Sequence, residues 1–415
     1  NSIPVKLAPK NNLPRPSVCV RSPKMGPADT DVRTGTPPTT ENALELLTIV
    51  HGDLYQPLPM LSFQANYAMS GRQSNGEPNP SPFHWTNVTL HAANAIMVFL
   101  LACRLAACRR IGLLTGLFFA VHPFAIETVA WIGGRMMLLM SFFALTCWLI
   151  RTGPRGARPT NVVLAAIAWL CSLASKVLPT GPIAGAIMEG TCQPERRRST
   201  LRFHGLCLAL AVAAGAFALH TTRAYGVLED ASGGGGFILG IATALSYYLE
   251  NYIWPMRLSP WISDPVGQST LIILIAAVEA MAVFSLASFA WRRDIKVAIG
   301  IVIFAVLLAP FLISSAARST VAADRYMYLP IMGLHLTLAS AIIRSWDAFY
   351  TSRRRIAWGL LTLCTGILIG FWHFEAVATA QVWRDTVSRD RRSVEMNPDD
   401  IRAYMQLAGA YTFAG

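Results

Sequence analysis

Apolar positions in this chain gather into long runs that recur from about Thr86 to Phe374, with short polar links between them. To within a few residues the runs occupy 86–103, 109–124, 136–150, 161–176, 178–191, 204–220, 237–254, 269–291, 297–314, 329–345 and 356–374. So much apolar surface, so evenly spread, cannot be buried in one water-soluble core, and the pattern predicts an all-α fold, a polytopic membrane helix bundle. Several runs are shorter than the roughly 20 residues that a full span requires.

Composition agrees. Over 415 residues, 53% are hydrophobic and only 14% charged, well away from the balance of a soluble domain. The net charge of +12 comes mostly from arginine. The arginines sit in the links: Arg104 with Arg109 and Arg110; Arg151, Arg155 and Arg158; Arg196 to Arg198 with Arg202; Arg292 and Arg293 with Lys296; Arg353 to Arg355. That placement marks cytoplasmic anchors, not a nucleic-acid-binding face. Three runs separate the Arg196 and Arg292 clusters, which puts them on opposite sides if every run crosses. The run at 237–254 is therefore assigned to the outer surface, since its second half, SYYLENYIWP, carries Glu250, Asn251, three tyrosines and Trp254, an interfacial composition. Ten crossings are then expected, with both ends of the chain outside.

The first 85 residues are rich in Pro, Gly, Ser, Thr and Asn and hold no run long enough to span. They read as an extracytoplasmic arm, with a proline-bounded amphipathic stretch around Tyr55 to Tyr67 lying along the membrane surface. The chain begins at Asn1 without a signal peptide, the pattern expected of a cleaved or truncated N-terminus. The tail at 375–415 is charged and helical, with a turn at Asn397-Pro398 followed by Ala403, Leu407, Ala408 and Tyr411 on one stripe. It fits either a short amphipathic tail or the start of a tetratricopeptide repeat array.

Ionisable residues at the membrane edge are the candidates for chemistry. In AVHPFAIETVAWIGGR, Glu127, Trp131 and Arg135 follow at intervals of four, so a continuous helix puts them on one face. This is either a polar outer loop with a paired carboxylate and arginine, or the wall of an outward cavity. In SSAARSTVAADRYMYLP, the arginines Arg318 and Arg325 stand with Asp324, Tyr326 and Tyr328, suited to gripping a lipid phosphate or to forming an aromatic belt. The two loops are expected to converge on one pocket. Lys176 either snorkels outward or supplies a point charge there. Asn87-Val88-Thr89 fits the glycosylation pattern but opens a spanning run, out of reach of a transferase. The eight cysteines and the scattered histidines give neither a disulfide framework nor a metal site.

Taken in order, YQPLPMLSFQANYAMSG, FHWTNVTLHAANAIMVFLL, FAVHPFAIETVAWIGGR, SLASKVLPTGP, YYLENYIWPMRLSP and AADRYMYLP resemble the transmembrane and tetratricopeptide repeat-containing proteins. These belong to the glycosyltransferase C superfamily and are related to protein O-mannosyltransferases. The resemblance implies a membrane enzyme that passes a sugar, mannose, from a polyprenyl-phosphate donor to a protein hydroxyl on the outer face, in a bacterial inner membrane or the endoplasmic reticulum. It implies an acidic base early in the first outer loop, after a first spanning helix expected upstream of Asn1; the base is then expected upstream as well, with Asp29 and Asp31 as stand-ins in this chain and Glu127 of the next outer loop as a further candidate. Donor binding falls to Arg135, Lys176, Arg318, Asp324, Arg325 and Tyr326, with no cofactor and no metal site assigned. The partners implied are membrane lipid, the lipid-linked sugar and an acceptor protein, engaged through the repeats. Where relatives carry acidic residues after the WIGGR arginine and after the SK pair, this chain has Met137 and Val177. A non-catalytic scaffold for protein binding is therefore the rival expectation. A transporter lacks the mid-helix charges that ion coupling needs.

Overall fold

A computed structural model describes residues 56–71, 78–224, 234–260, 262–263, 269–293, 295–316, 320–351 and 354–414. Fifteen α-helices run through them in chain order: α1 (Pro57–Met69), α2 (Ser81–Ala106), α3 (Arg109–Val121), α4 (Ala125–Ala130), α5 (Arg135–Thr152), α6 (Pro159–Ser175), α7 (Gly181–Cys192), α8 (Arg197–Ala224), α9 (Gly234–Ile253), α10 (Ser269–Arg293), α11 (Ile295–Ala316), α12 (Ile331–Thr351), α13 (Arg355–Val382), α14 (Thr386–Met396) and α15 (Ile401–Ala414). Each apolar run of the sequence has become one helix. A short antiparallel ribbon, β1 (Ile262–Ser263) with β2 (Thr320–Ala322), is the exception to an all-α fold among the described residues.

The breaks follow local chemistry. Proline occupies the first turn of α1, α2, α6 and α7, where its missing N–H has no helical partner to lose. α3 stops at Val121 because His122 precedes Pro123 and takes an extended backbone, φ −69° and ψ 131°. Nothing comparable interrupts the sequence at Phe374, so α13 runs on to Val382, and the charged tail begins as the end of a helix. The Asp385 side chain then caps α14 by accepting from the Ser388 N–H at 2.7 Å.

α2, α3, α5, α11 and α12 form the centre of the bundle, with Val98, Leu101, Phe118, Met137, Leu145, Ile303, Leu307 and Leu336 buried between them. α2 and α3 approach closely at Gly116, where an added Cβ would lie 2.7 Å from Phe99 Cβ. The outside is as apolar as the inside: Leu164 and Leu170 on α6, Leu206 on α8, Leu271 on α10 and Leu363 on α13 are all more than half exposed. Among the described residues, Ser81–Ala106, Ile132–Thr152, Pro194–Ala218 and Arg355–Val382 are long and apolar enough to cross a membrane on their own.

The two ends of the bundle differ in chemistry. At one end the arginines hold helix termini together. Arg104 donates to Leu149 O and to Thr152, Arg196 to Gly153 O at 2.9 Å, and Arg110 pairs with Asp347 at 2.8 Å. Here Arg151 and Glu189, both fully buried, form a two-bonded ion pair at 2.9 and 2.6 Å, and His204 meets Glu189 at 3.1 Å. The other end holds α4, the ribbon and the two loops singled out from the sequence.

In the tail, α14 and α15 pack as a pair, with Arg391 donating to the Tyr411 hydroxyl at 3.0 Å. The inward stripe of α15 is Ala403, Leu407 and Ala410. Ala408, expected on it, is exposed, and Tyr411 is half-exposed with only its hydroxyl against α14.

Candidate functional site

The site grows from two short segments that lie 198 residues apart in sequence. α4 is a six-residue helix that follows Pro123 and carries Glu127, whose side chain is 1% exposed. Facing it is a 3-10 turn, Asp324–Met327, entered from β2. The Glu127 carboxylate accepts two bonds from one residue: the Arg325 backbone N–H reaches Oε2 at 2.6 Å and Arg325 Nη1 reaches Oε1 at 2.5 Å. The guanidinium also lies 5.5 Å from the Trp131 ring and 5.0 Å from the Tyr326 ring. Lys176, the first residue past α6, brings its Nζ within 5.4 Å of the same Tyr326 ring and 5.8 Å of Phe311. Both expected loops and Lys176 therefore meet at one end of the bundle.

Asp324, one residue earlier, has different partners. Its Oδ1 accepts the Tyr247 hydroxyl at 2.5 Å, and that tyrosine oxygen in turn accepts the Ser259 N–H at 3.2 Å. Tyr248 donates to Ala323 O and accepts the Ala323 N–H, both at 3.2 Å, so a tyrosine pair on α9 clamps the turn from behind. Asp324 also walls a half-open cavity of about 190 Å³ between the turn, the loop after α9, the end of α13 and α14. Arg392 of α14 closes one side by donating to Met256 O at 2.8 Å and to Leu258 O at 3.1 Å.

Arg135 stands apart from this group. The helical face assumed for Glu127, Trp131 and Arg135 does not form, because Trp131 is extended and a 3-10 turn at Ile132–Gly134 separates α4 from α5. Gly134 permits that turn: a Cβ there would collide with the Thr128 carbonyl. Arg135 is consequently turned into the bundle and fully buried. It donates from Nε to Asn87 Oδ1 at 2.9 Å and from Nη2 to Phe83 O at 2.6 Å, and Nη1 bonds Asn66 Oδ1. With the ring of Phe63 4.7 Å away, it ties α1 to α2 and α5. Asp29, Asp31 and Arg318 lie outside the described residues.

A second aromatic layer backs the site, centred on His122 of the AVHPFAIETVAWIGGR stretch, with Tyr252 and Trp372 as partners that the sequence did not single out. His122 stacks on Phe124 and Tyr252 at 5.3 and 5.5 Å, and Trp372 meets it edge-on at 4.5 Å. The Phe124 N–H donates to His122 Nδ1, so the ring proton sits on Nε2 and faces Tyr252 O at 3.2 Å. This layer fixes α4 against α9, α12 and α13. Among the described residues, no group of three His, Cys, Asp or Glu side chains is placed to hold a metal ion.

Burial and charge split the two carboxyls. Burial pushes Glu127 up, while the Arg325 guanidinium and its N–H pull it back toward the charged form. Burial pushes Asp324 well above the usual carboxylate range, and the negative charge of Glu127 pushes it further. For Arg325, burial opposes the charge, but Glu127 outweighs it and holds the guanidinium protonated. The folded state thus binds a proton at Asp324 that the unfolded chain releases near pH 4. Its contribution to stability is full below that point and is lost as pH rises toward the higher folded value. Thermal unfolding in detergent is expected to show stability falling above about pH 4 from this group. Asp324→Asn, which cannot ionise, should flatten that fall; an unchanged pH profile would mean that Asp324 is already charged.

No protein-family model matches the chain, and no solved structure matches it. Curated relatives do. Protein O-mannosyl-transferase TMTC3 of Mus musculus is 36% identical over 127 residues, 28% of this chain and 13% of that protein. Protein O-mannosyl-transferase TMTC4 of Homo sapiens is 32% identical over 142 residues, 28% of this chain and 18% of that protein. Protein O-mannosyl-transferase Tmtc1 of Drosophila melanogaster is 34% identical over 126 residues, 29% of this chain and 14% of that protein. The match spans less than a fifth of the length of these relatives. Over a little more than a quarter of its own length, the chain is similar to proteins named as TMTC protein O-mannosyl-transferases.

Proposed function

We propose that the chain is the membrane part of a glycosyltransferase that moves mannose from a polyprenyl-phosphate donor to a protein hydroxyl on the extracytoplasmic face. In this reading ten helices cross the membrane, the arginine-rich end is cytoplasmic, and α14 and α15 begin an array of outward helical repeats that engages the acceptor protein. The relatives' names supply the reaction class. The observation that carries the reading is the junction of buried Glu127 with the half-buried Arg325 and Lys176 at the end of the bundle opposite the arginine anchors.

Arg325 and Lys176 are the donor-binding cations. Transfer leaves the lipid phosphate with an extra negative charge, and a guanidinium held in place before the reaction stabilises it without reorganising. Glu127 acts as a positioning residue: its two oxygens are occupied by Arg325, which fixes the guanidinium beside Trp131 and Tyr326. The general base is assigned to the acidic residues of the arm, Asp29 or Asp31, which leave Glu127 to its ion pair. Arg318 and Tyr326 complete the donor side.

The test is transfer of labelled sugar from polyprenyl-phosphate mannose by the full-length protein. Arg325→Lys keeps the charge but loses the fork, and is expected to lower transfer by about 1 to 3 kcal/mol of transition-state stabilisation, roughly five- to 150-fold. Lys176→Ala should have the smaller effect, since an ammonium offers one point charge. Equal activity in all three proteins would remove the phosphate grip. An inactive wild type would leave the scaffold reading, which the burial of Met137 in the core favours, because no acid stands at that place.

A further inference from the structure

Two carboxyl groups and an indole line the cavity beside the turn: protonated Asp324, Glu375 and Trp383, with Thr379 and Ser259 between them. Neither Glu375 nor the second oxygen of Asp324 has a hydrogen-bond partner among the described residues. Among the described residues the one cation on the wall, Arg392, is already directed at two backbone carbonyls, Met256 O and Leu258 O. Such a lining offers a phosphate few donors, since the Arg392 N–H groups are directed at backbone carbonyls and Glu375 stands among the lining residues. It rejects a lipid tail, since the carboxyls would lose water without gaining a partner. What it offers is hydrogen-bond acceptors for several neutral hydroxyls and a flat apolar ring at their side.

Size narrows the choice. At about 190 Å³ the cavity falls below the roughly 300 to 1,000 Å³ of sites that enclose a whole drug-sized ligand. It admits a single hydroxyl-rich ring. Position narrows it further, because the cation side begins one residue away: Arg325 Nη1 lies 3.5 Å from the carbonyl oxygen of Pro260, a residue that lines the cavity.

We infer that this cavity is the sugar subsite of the donor, taking a neutral hexose against Asp324, Glu375 and Trp383 while the lipid phosphate lies on the Arg325 side of the same turn. The assignment rests on the donor reading above and adds which side chains select the sugar. It also gives the tail a role in that selection, since Trp383 ends α13 and Arg392 of α14 holds the opposite wall in place.

A cysteine at Thr379 tests it. In the full-length Thr379→Cys protein, modification by N-ethylmaleimide is followed at that residue by peptide mass spectrometry, and retention of radiolabelled polyprenyl-phosphate mannose is measured in parallel. The sugar-lipid is expected to protect Cys at this position, while polyprenyl phosphate without sugar and a serine- and threonine-bearing peptide do not. Glu375→Gln should weaken retention of the sugar-lipid about tenfold, the loss of one charge-assisted hydrogen bond, and leave retention of the bare lipid phosphate unchanged. Protection by the bare lipid phosphate or by the peptide would overturn the sugar assignment, as would no protection while the sugar-lipid is retained. In those cases the donor reading stands. If wild type retains no sugar-lipid at all, the donor reading fails and takes the subsite with it.

Discussion

Glu127→Ala is expected to cost the folded protein about 3 to 5 kcal/mol, the range for removing one partner of a buried ion pair. The carboxylate is nearly inaccessible and is the shared acceptor of the Arg325 side chain and backbone N–H, so its loss strands a guanidinium and an amide together. The cation has no easy escape, since the rings of Trp131 and Tyr326 lie about it and the turn that carries it is clamped by Tyr247 and Tyr248. Unfolding in graded denaturing detergent measures the effect. Adding Arg325→Met to Glu127→Ala should recover most of the loss, because the uncompensated charge, not the missing contact, is the main term. A single-variant cost below about 1 kcal/mol, the level of an exposed pair, would mean that water reaches the junction and that Glu127 does not hold Arg325.

The stability and the proposed chemistry of this pair are separable. Arg325→Lys retains a positive partner for Glu127, so its effect on folding should be much smaller than its effect on sugar transfer. A protein stable with lysine yet deficient in transfer places the fork geometry, and not the bare charge, on the reaction.

The helices were legible because hydrophobicity is a one-dimensional property: a run of apolar residues declares itself wherever it packs. All eleven runs correspond to helices, and the proline and Asp385 boundaries follow from local rules. The meeting of the AVHPFAIETVAWIGGR and AADRYMYLP loops was also legible, since parity placed both on one side. Pairing within the site was not. Glu127 chose Arg325, 198 residues away, over Arg135, eight residues away, because the backbone at Trp131 breaks the helix that the four-residue spacing assumed. Tyr247 and Tyr248 read as interfacial aromatics from composition, yet their hydroxyls are buried clamps on the turn. Only the tertiary fold shows the difference, as the same residue types serve both purposes. Arg151 read as one more anchor, but Glu189, hidden at the end of an apolar run, draws it into the interior.

Arg135 gives the other large expected effect, and the sequence placed this residue on the donor side. Arg135→Lys should destabilise the protein by about 2 to 4 kcal/mol although the charge is kept, since several hydrogen bonds to a buried cation are lost at about 1.5 to 3 kcal/mol each and one ammonium regains only some of them. The guanidinium bridges two elements, bonding Asn66 of α1 and both Asn87 and Phe83 of α2, and rests against the Phe63 ring. An ammonium has neither the reach nor the planar fork to serve all three, so α1 should loosen first. A cysteine at Asn66, made in place of one of the acceptors, would confuse the result. Met60→Cys on the same helix reports accessibility instead, since Met60 is buried with Phe63, Phe83 and Ile132 and is not an acceptor of Arg135. Labelling at Cys in that position should accelerate in the Arg135→Lys background while retention of polyprenyl-phosphate mannose, corrected for folded protein, stays the same. Loss of sugar-lipid retention with α1 still protected would return Arg135 to the donor site, and that outcome would overturn its assignment as the fastener of the arm.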